Sequence, residues 1–230
     1  MAPPSTIFII GSGPMIGSHV ALLFAEHGFK HLALFSRSTS NLSRDASFVA
    51  SAVPAASVHI YEADVTDHSS LSGALEKAIS EIGVPEVVLY NAARVNLSMF
   101  GQYSFEDIVE DFKIPNFGLY TTASKLLPHL QALAKTHPEA HPALFVTSGA
   151  IIHQPVAYVF SLSMAKAAQA NLTKLLAEEN KDVVHVALVT VAGEVSMEEK
   201  VCNPPNIASK FWELYEQKKG SWAFEVRCGW

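Results

Sequence analysis

A glycine-rich turn at residues 11–17 follows an unbroken apolar run at residues 5–10, which is typical of a buried parallel strand. The turn contains Gly11, Gly13 and Gly17, and a helix pattern follows it. Glycines let the backbone turn sharply and approach a pyrophosphate, which then lies at the positive end of the helix dipole. A tight strand-to-helix turn also needs glycine without any ligand, so the spacing alone leaves both interpretations open. Its position directly after a strand favours a nucleotide site.

A basic residue flanked by hydroxyls follows the second apolar run, in the tripeptide Ser36-Arg37-Ser38. A dinucleotide site that is specific for NAD usually carries an acidic residue here, which binds the ribose hydroxyls. The tripeptide has no acid, and a guanidinium beside two hydroxyls suits a 2′-phosphate instead. An exposed arginine at the start of a helix is the equally good alternative, so both interpretations stay open.

Polar and small residues end the next two apolar runs. Asp64 ends the third run, where a carboxylate could accept a hydrogen bond from an adenine amine. Equally, this stretch could cap a helix, because Asp67 precedes a helix pattern. The fourth run ends in Asn91-Ala92-Ala93, which places small residues where a cofactor would cross the sheet edge.

The composition favours a single domain and argues against nucleic acid and anionic membranes as partners. The chain has 230 residues, is 49% hydrophobic and carries a formal net charge of −6, with no basic block. We therefore expect a single domain over residues 1–230 that binds neither nucleic acid nor anionic membranes. Residues 1–4 lack the basic start of a signal peptide, and no span reaches transmembrane length. Two cysteines, Cys202 and Cys228, make no disulfide framework, so a cytoplasmic location fits.

Strand-like apolar runs alternate with helix-like patterns along the whole chain. This order predicts right-handed crossovers and a parallel sheet covered on both faces, hence a doubly wound α/β domain (a Rossmann fold) of three α/β/α layers. No cluster of Cys and His has metal-ligand spacing, so we expect no metal site. The expected strands are residues 5–10, 31–36, 57–63, 87–91, 143–148 and 184–190, with a last strand near 222–226. The expected helices include residues 41–53, 69–82, 105–133 and 161–181, with a short helix at 207–215 whose aromatic residues we expect to pack in the core.

These motifs together, in this order and at these intervals, resemble the short-chain dehydrogenase/reductase family over nearly the whole chain. Gly11 and Gly17 fall on the first and last glycines of its TGxxxGxG loop. Ile10 stands where the threonine would be, and Met15 replaces the middle glycine and narrows the space for a pyrophosphate. The resemblance, with the tripeptide at Arg37, implies that NADP(H) binds at Gly11, Ser12, Gly13, Met15, Ile16, Gly17, Ser36, Arg37, Ser38, Asp64, Val65, Asn91, Ala92, Ala93, Lys166, Gly193 and Val195.

The catalytic motif of that family is incomplete in this sequence. The family uses Tyr-x-x-x-Lys, in which the tyrosine is the acid or base and the lysine lowers its pKa and holds the ribose hydroxyls. Lys166 matches the lysine, but Leu162 stands at the tyrosine position and cannot transfer a proton. Ser148 matches the serine that binds the substrate oxygen. The expected asparagine falls on Pro115, with Asn116 one residue later.

A substitute proton donor would have to come from elsewhere in the sequence. Tyr158 precedes Lys166 by eight residues, and His153, Ser161 and Ser163 are also near. Tyr158 is therefore a candidate catalytic residue beside Ser148 and Lys166, although a tyrosine soon after a proline is more often a loop residue that packs on the sheet.

The resemblance implies an NADP(H)-dependent oxidoreductase that acts on a small carbonyl or hydroxy compound with a degenerate active site. The alternatives are a non-redox isomerase or cyclase on the same fold, and a non-catalytic regulatory protein that binds NADP(H). The resemblance also implies a homodimer or homotetramer that pairs through residues 117–133 and 161–178. The apolar content of these helices supports that pairing; it comprises Leu119, Tyr120, Leu126, Leu127, Leu172, Leu175 and Leu176.

Overall fold

The computed structural model describes residues 5–229. Residues 1–4, which entered the argument against a signal peptide, and residue 230 lie outside the described residues. Seven strands form one sheet in the described part of the chain: β1 (Thr6–Ile10), β2 (His31–Ser36), β3 (Ser57–Glu62), β4 (Val87–Tyr90), β5 (Ala143–Gly149), β6 (His185–Val191) and β7 (Glu225–Cys228).

The strands lie in the order β3-β2-β1-β4-β5-β6-β7, and every neighbouring pair is parallel. The strand order reverses between β1 and β4, where ligands bind in folds of this kind. The helices are α1 (Ile16–Glu26), α2 (Thr39–Ala52), α3 (His68–Ile82), α4 (Phe105–Phe112), α5 (Gly118–Thr136), α6 (Phe160–Glu179) and α7 (Pro204–Tyr215). Across residues 5–229, no helix is both long and apolar enough to cross a bilayer.

Two apolar cores lie on opposite faces of the sheet. Alternate residues of β1 divide between them: Ile7 and Ile9 enter one core, and Phe8 and Ile10 enter the other. Helices α1, α2 and α7 cover the first face, whereas α3, α5 and α6 cover the second. The prediction of a doubly wound, three-layer α/β/α domain is therefore confirmed.

Six of the expected strands are confirmed to within one residue at each end. The seventh begins at Glu225, three residues later than residue 222. The residues before it are held by Gln217, whose carbonyl accepts from Trp222 Nε1 at 3.2 Å and whose Oε1 accepts from the Ala223 amide at 2.6 Å. A local apolar pattern gives no sign of these bonds, which keep Trp222 and Ala223 out of the sheet.

The aromatic residues of the C-terminal helix pack in the core, as expected. The ring of Phe24 lies 5.1 Å from that of Trp212 and 5.7 Å from that of Tyr215, both in edge-on arrangements. Phe211 is fully buried on the same helix. Helix α7 is thereby fixed against α1.

The helix expected over residues 105–133 is interrupted by a π-helical turn, Lys113–Phe117. Pro115 lies inside this turn and has no amide hydrogen for the usual i→i−4 bond, and the Gly118 amide donates to the Lys113 carbonyl, five residues back. Gly118 then lies against β4: a Cβ there would overlap the Tyr90 hydroxyl and lie 2.9 Å from the Val65 carbonyl. This helix therefore approaches the sheet more closely than a side chain would allow.

The close approach at Gly118 predicts opposite effects for two helical Gly→Ala substitutions. Gly118→Ala should lower the free energy of unfolding by about 1–3 kcal/mol, because the methyl group overpacks the contact with Tyr90. Gly73→Ala is the matched control: Gly73 lies in α3 with nothing within 4 Å of an added Cβ. That change should raise stability by roughly 0.5–1 kcal/mol through helix propensity. Urea unfolding measures both, and equal shifts in the two variants would contradict the argument.

Candidate active site

A cleft of about 950 Å³ opens at the carboxyl ends of the central strands. The turn after β1, the ends of β4, β5 and β6, and the start of α6 form its walls. Eleven of the predicted site residues line it: Gly13, Met15, Ile16, Gly17, Asn91, Ala93, Ser148, Tyr158, Lys166, Gly193 and Val195. The others lie outside its lining: Gly11, Ser12, Ser36, Arg37, Ser38, Asp64, Val65 and Ala92.

The three glycines of the first turn have different roles. Gly11 has a φ of +89°, and a Cβ there would lie 2.5 Å from the Ala92 amide nitrogen. A Cβ on Gly17 would lie 3.0 Å from Ser12 Cα, so both positions are constrained by the packing of the turn. Around Gly13 nothing lies within 4 Å of an added Cβ. Open space beside Gly13 is what a ligand that crosses this turn would need.

Ser12 and Met15 also belong to this turn, but only Met15 lines the cleft. The Ser12 hydroxyl is buried and donates to Asp45 Oδ2 on α2 at 2.9 Å, so it ties the turn to that helix rather than facing the cleft. Met15 immediately precedes α1 and lines the cleft, and its carbonyl accepts from His19, with Nδ1 at 2.7 Å. The Met15 side chain therefore borders the space next to the amino end of α1.

Asn91 joins the ends of three strands through its side chain. Its Nδ2 donates to the Gly11 carbonyl at 2.9 Å, and its Oδ1 accepts from Thr147 Oγ1 at 2.7 Å. Since Gly11 follows β1 and Thr147 lies on β5, the amide fixes the glycine turn relative to the centre of the sheet. Ala92 packs under Gly11, and only Ala93 of this pair of alanines reaches the cleft.

Lys166 is buried in the wall of the cleft and held by two acceptors. Its Nζ donates to the Thr147 carbonyl at 2.9 Å and to Gln169 Oε1 at 2.8 Å. Gln169 is fully buried, and its Nε2 donates to the Pro115 carbonyl at 2.9 Å, which fixes its amide orientation. Burial lowers the pKa of Lys166 to about 8.

Gln169 is the main residue of the site that sequence reasoning missed. It lies three residues after Lys166 on α6, so the two side chains share one face of the helix. A glutamine on an otherwise buried helical face, next to a lysine, is the signal that could have found it.

Ser148 lines the same cleft as Lys166, and its hydroxyl is buried without a hydrogen-bond partner among the described residues. The residue is 4% exposed. Leu162 lines this cleft as well and is 8% exposed. A buried hydroxyl without a partner costs stability, so its presence in the wall of a cleft points to a ligand atom as the missing partner.

Tyr158 lies at the mouth of the cleft and is 61% exposed. Helix α6 begins at Phe160, so Tyr158 precedes the helix instead of standing one turn before Lys166. Its carbonyl accepts from the Ser98 amide at 2.9 Å, and Ser98 Oγ accepts from the Ser161 amide at 3.0 Å. These bonds pin the loop that carries Tyr158 to the loop after β4.

Of the other nearby candidates, Ser161 has a buried hydroxyl with no partner among the described residues and does not line the cleft, whereas His153 and Ser163 each have a partner. His153 Nε2 lies 2.7 Å from Glu225 Oε1 on β7. Ser163 Oγ contacts the backbone of Val156 at 3.2 Å. Neither His153 nor Ser163 lines the cleft, whose described lining includes three titratable residues, Tyr158, Lys166 and Glu194.

Asn116, displaced by one residue from the expected position, lies in the π-helical turn. Its Nδ2 donates to the carbonyls of Phe112 and Ala165, each at 3.1 Å. Because Ala165 directly precedes Lys166, this amide fastens the turn to α6 beside the lysine. Asn116 therefore positions the helix that carries Lys166.

The polar residues after β2 and β3 form a second group at the same edge of the sheet. Ser38 caps α2 by accepting from the Asn41 amide at 3.3 Å, and the exposed Arg37 precedes it. Partial burial opposes ionisation of Asp64, but hydrogen bonds from Thr66 and the nearby Arg37 outweigh it and lower the pKa of Asp64. The sequence left two roles open for residues 64–67, which were a hydrogen bond to an adenine amine and the capping of a helix. The capping role does not belong to Asp64.

That cap is Asp67, at the start of α3. Its Oδ1 accepts from the amides of Ser69 at 2.8 Å and Ser70 at 3.0 Å. Asp64 remains at the carboxyl end of β3 with its charge favoured. A ligand group that donates hydrogen bonds suits that charge.

The segment after β6 completes the cleft. Gly193 has a φ of +136°, and it lines the cleft with Glu194 and Val195. A Cβ on Gly193 would lie 3.4 Å from Cys202 Sγ. Among residues 5–229, no group of three or more His, Cys, Asp or Glu side chains is arranged to hold a metal ion.

Comparison with known sequences identifies relatives. A family model described as short chain dehydrogenase matches residues 5–199. A short chain dehydrogenase/reductase of Claviceps purpurea is 27% identical over 167 residues, which cover 72% of this chain and 53% of that protein. This chain spans about half the length of the curated relatives that it matches.

Comparison with solved structures shows the same fold. An alcohol dehydrogenase from the archaeon Thermococcus sibiricus, complexed with 5-hydroxy-NADP, superposes with a TM-score of 0.84 at 20% identity, covering 96% of this chain and 95% of that one. An NADPH-bound short chain oxidoreductase of Pseudomonas aeruginosa PAO1 with an atypical catalytic center gives 0.83 at 19% identity, with the same coverage of 96% and 95%. With its sheet order and the sequence match over residues 5–199, this chain belongs to the short chain dehydrogenase family.

Proposed function

We propose that this protein is an NADP(H)-dependent oxidoreductase that acts on a small carbonyl or hydroxy compound. One observation carries the proposal: Lys166 and the unpartnered hydroxyl of Ser148 lie in one cleft with the glycine turn after β1. A glycine turn for the phosphates, a cation and a hydroxyl donor are features that let a protein orient a nicotinamide cofactor and polarise a carbonyl group.

The residues present fit the phosphate-bearing part of NADP(H). The open space beside Gly13 and the amino end of α1 would hold the pyrophosphate, with Met15 narrowing the entrance. The 2′-phosphate would lie between Arg37 and the amino end of α2, where the guanidinium and the helix dipole both favour negative charge. The adenine amine would donate to Asp64, whose charge is favoured.

The residues around Lys166 fit the nicotinamide part. Gly193 and Val195 line the cleft after β6 and would contact the carboxamide. Lys166 has two of its three N–H groups bonded to Thr147 and Gln169, which leaves the third for a ribose hydroxyl. Such an arrangement would hold the nicotinamide part of the cofactor in the cleft that Ser148 also lines.

Bound NADPH would supply hydride, and the protein would do the remaining work. Ser148 Oγ would donate a hydrogen bond to the substrate oxygen, and the Lys166 ammonium would stabilise negative charge on it. At the position one turn before Lys166, Leu162 offers no proton. We keep a non-catalytic NADP(H)-binding role as the second candidate, because Leu162 favours it. A cytoplasmic location and the absence of nucleic-acid and membrane partners stay predictions.

The first test concerns cofactor choice. Arg37 should make NADPH bind more tightly than NADH by about 1.5–3 kcal/mol, the contribution of a hydrogen bond between charged groups. Arg37→Ala should remove most of this preference and leave NADH affinity nearly unchanged, as measured by calorimetry. The control is Lys77→Ala, which removes a cation that is 66% exposed on α3. Equal affinities of the wild-type protein for NADPH and NADH would rule out a 2′-phosphate site at Arg37.

The second test uses the pKa of Lys166, which burial lowers to about 8 in the free protein. Thr147 and Gln169 accept from two N–H groups of Lys166. Only the protonated amine, which has three N–H groups, has one left for a ribose hydroxyl. NADPH therefore binds the protonated form, and binding raises the pKa. Its Kd should be constant below the free-protein pKa and then rise by up to about tenfold per pH unit until the pKa of the complex is reached.

Fluorescence titration of NADPH over a pH series measures this effect. Lys166→Met is the control, because it removes the titrating group: it should bind NADPH weakly and with no pH dependence from this source. A wild-type Kd that stays constant through the pH range in which Lys166 titrates would show that the lysine does not contact the cofactor.

We also propose that the protein is a homodimer or homotetramer, but most of the leucines named from the sequence are not the reason. Leu119, Leu126 and Leu127 are buried against the sheet, and Leu172 and Leu176 pack on the same core. The sequence argument is therefore wrong for these five leucines, but two of its residues, Tyr120 and Leu175, are 62% and 52% exposed. What remains on the outer faces of the helices is a set of exposed apolar side chains, Phe105, Phe117, Tyr120, Met164 and Leu175.

The oligomer is tested by charging that surface. Tyr120 is 62% exposed in the single chain. Because an isologous interface uses the same surface of both subunits, Tyr120→Glu would place two negative charges in it. Light scattering should give a multiple of 24.9 kDa for the wild-type protein and 24.9 kDa for this variant. Phe48→Glu is the control, since Phe48 is 41% exposed on α2, on the other face of the sheet. A monomeric wild-type protein would end the proposal.

A further inference from the structure

We infer that the substrate is an apolar α,β-unsaturated carbonyl compound, and that hydride adds to its β-carbon rather than to its carbonyl carbon. This inference rests on the proposed hydride-transfer function and specifies its substrate. It follows from which groups of the cleft can donate a hydrogen bond and which can deliver a proton.

The wall beside Lys166 has no acid. Leu162 stands there, 8% exposed and in contact with the cleft. Besides Lys166, the described lining of the cleft includes two titratable residues. Tyr158 lies at its mouth and is 61% exposed, and Glu194 lies on the exposed segment after β6. Reduction of an isolated carbonyl produces an alkoxide, which is strongly basic and needs a proton in the transition state.

Lys166 is cut off from solvent protons on its buried side. Its Nζ bonds to Gln169, and Gln169 bonds to the Pro115 carbonyl, so the chain of hydrogen bonds ends on the backbone. A primary amide and a peptide carbonyl do not exchange protons readily at neutral pH. The arrangement holds a cation in place whose one N–H towards the cleft binds the ribose, so Lys166 has no N–H left to give a proton to the substrate.

Ser148 and Lys166 together form a site for an oxyanion that keeps its charge. Ser148 contributes a hydroxyl whose oxygen has no partner in the described part of the chain, and Lys166, whose third N–H binds the ribose, contributes its positive charge. A hydroxyl donor and a fixed positive charge stabilise an enolate, whose charge is delocalised and whose oxygen is far less basic than that of an alkoxide. The chemistry that these two groups support best is therefore conjugate reduction.

The step balances without an acid from the protein. Hydride from the reduced nicotinamide forms a C–H bond at the β-carbon, the C=C electron pair moves to the bond between the α-carbon and the carbonyl carbon, and the C=O pair moves onto oxygen. The resulting enolate oxygen accepts from Ser148, and the charge of Lys166 stabilises it. Water then protonates the α-carbon, which yields the saturated carbonyl compound, hydroxide and the oxidised cofactor.

The mouth of the cleft fits an apolar substituent. Val95 and Leu97 line it and are 72% and 78% exposed. The neighbouring residue Ser98 is buried, with its amide and carbonyl bonded to Tyr158 and Phe160, so the loop presents its apolar residues from a fixed backbone. Exposed apolar side chains at a cleft entrance indicate a ligand with an apolar body.

The test compares benzylideneacetone, an enone, with benzylacetone, its saturated ketone, using the full chain and C4-deuterated NADPH. The kcat/KM for the enone should be at least about 10²-fold higher than that for the ketone, because reduction of the ketone lacks the acid that usually contributes this factor. Mass spectrometry and NMR should find the deuterium at the β-carbon of the product. Ser148→Ala should lower enone reduction by about 10²–10³-fold, as loss of one oxyanion donor does.

Two variants of residue 162 separate the missing acid from the size of the side chain. Leu162→Tyr should enable reduction of benzylacetone, whereas Leu162→Phe, which has the ring without the hydroxyl, should not. Tyr158→Phe checks the tyrosine at the mouth: if it abolished enone reduction while the protein still bound NADPH, Tyr158 would be the donor and the inference would be overturned.

The remaining outcomes are distinguishable. Comparable rates on the two substrates, or deuterium at the carbonyl carbon, would overturn the inference and leave the oxidoreductase proposal intact. NADPH binding with no reduction of either compound would overturn both in favour of the binding role. Absence of NADPH binding would overturn the proposed function itself.

Discussion

A single chain of hydrogen bonds holds the site together, and its centre is Asn91. From the Gly11 carbonyl it passes through the Asn91 amide to the Thr147 hydroxyl, and the Thr147 carbonyl then accepts from Lys166. The chain crosses β4 and joins the glycine turn after β1 to the lysine of α6. Since each link is 2.7–2.9 Å long and lies at the point where the strand order reverses, the side of the cleft with the glycine turn and the side with Lys166 have a fixed relation.

The burial of Lys166 determines the pKa and the hydrogen bonding of this lysine, which lies on the α6 side of the cleft. A cation that is only 6% exposed needs strong acceptors, and the chain supplies two of them, Thr147 and Gln169, both neutral. Without a carboxylate bonded to it, desolvation lowers the pKa of the lysine. The third N–H remains for a ligand. A neighbouring leucine keeps that environment apolar, which strengthens the electrostatic effect of the charge on whatever binds there.

Much of the fold follows from local patterns, because parallel strands are buried on both faces and read as continuous apolar runs. Six strands could be placed to within one residue. The exceptions have physical causes: Gln217 bonds the residues before β7, and Pro115 lies in a π-helical turn in the middle of a long helix. The apolar residues of α5 were assigned to a partner, yet most face the sheet, since composition alone does not say which way a helix is rotated.

The sequence by itself determined the order of strands and helices, the glycine turn after β1 and the leucine four residues before Lys166. The resemblance of its motifs to a known family also implied that Ser148 and Lys166 share one site, and both residues line the same cleft. Only the tertiary structure decided what each side chain bonds to. Ser12 bonds to Asp45, and Gln169 links the lysine to Pro115. Such bonds join residues far apart in the chain and depend on side-chain direction and helix rotation, which local periodicity does not fix.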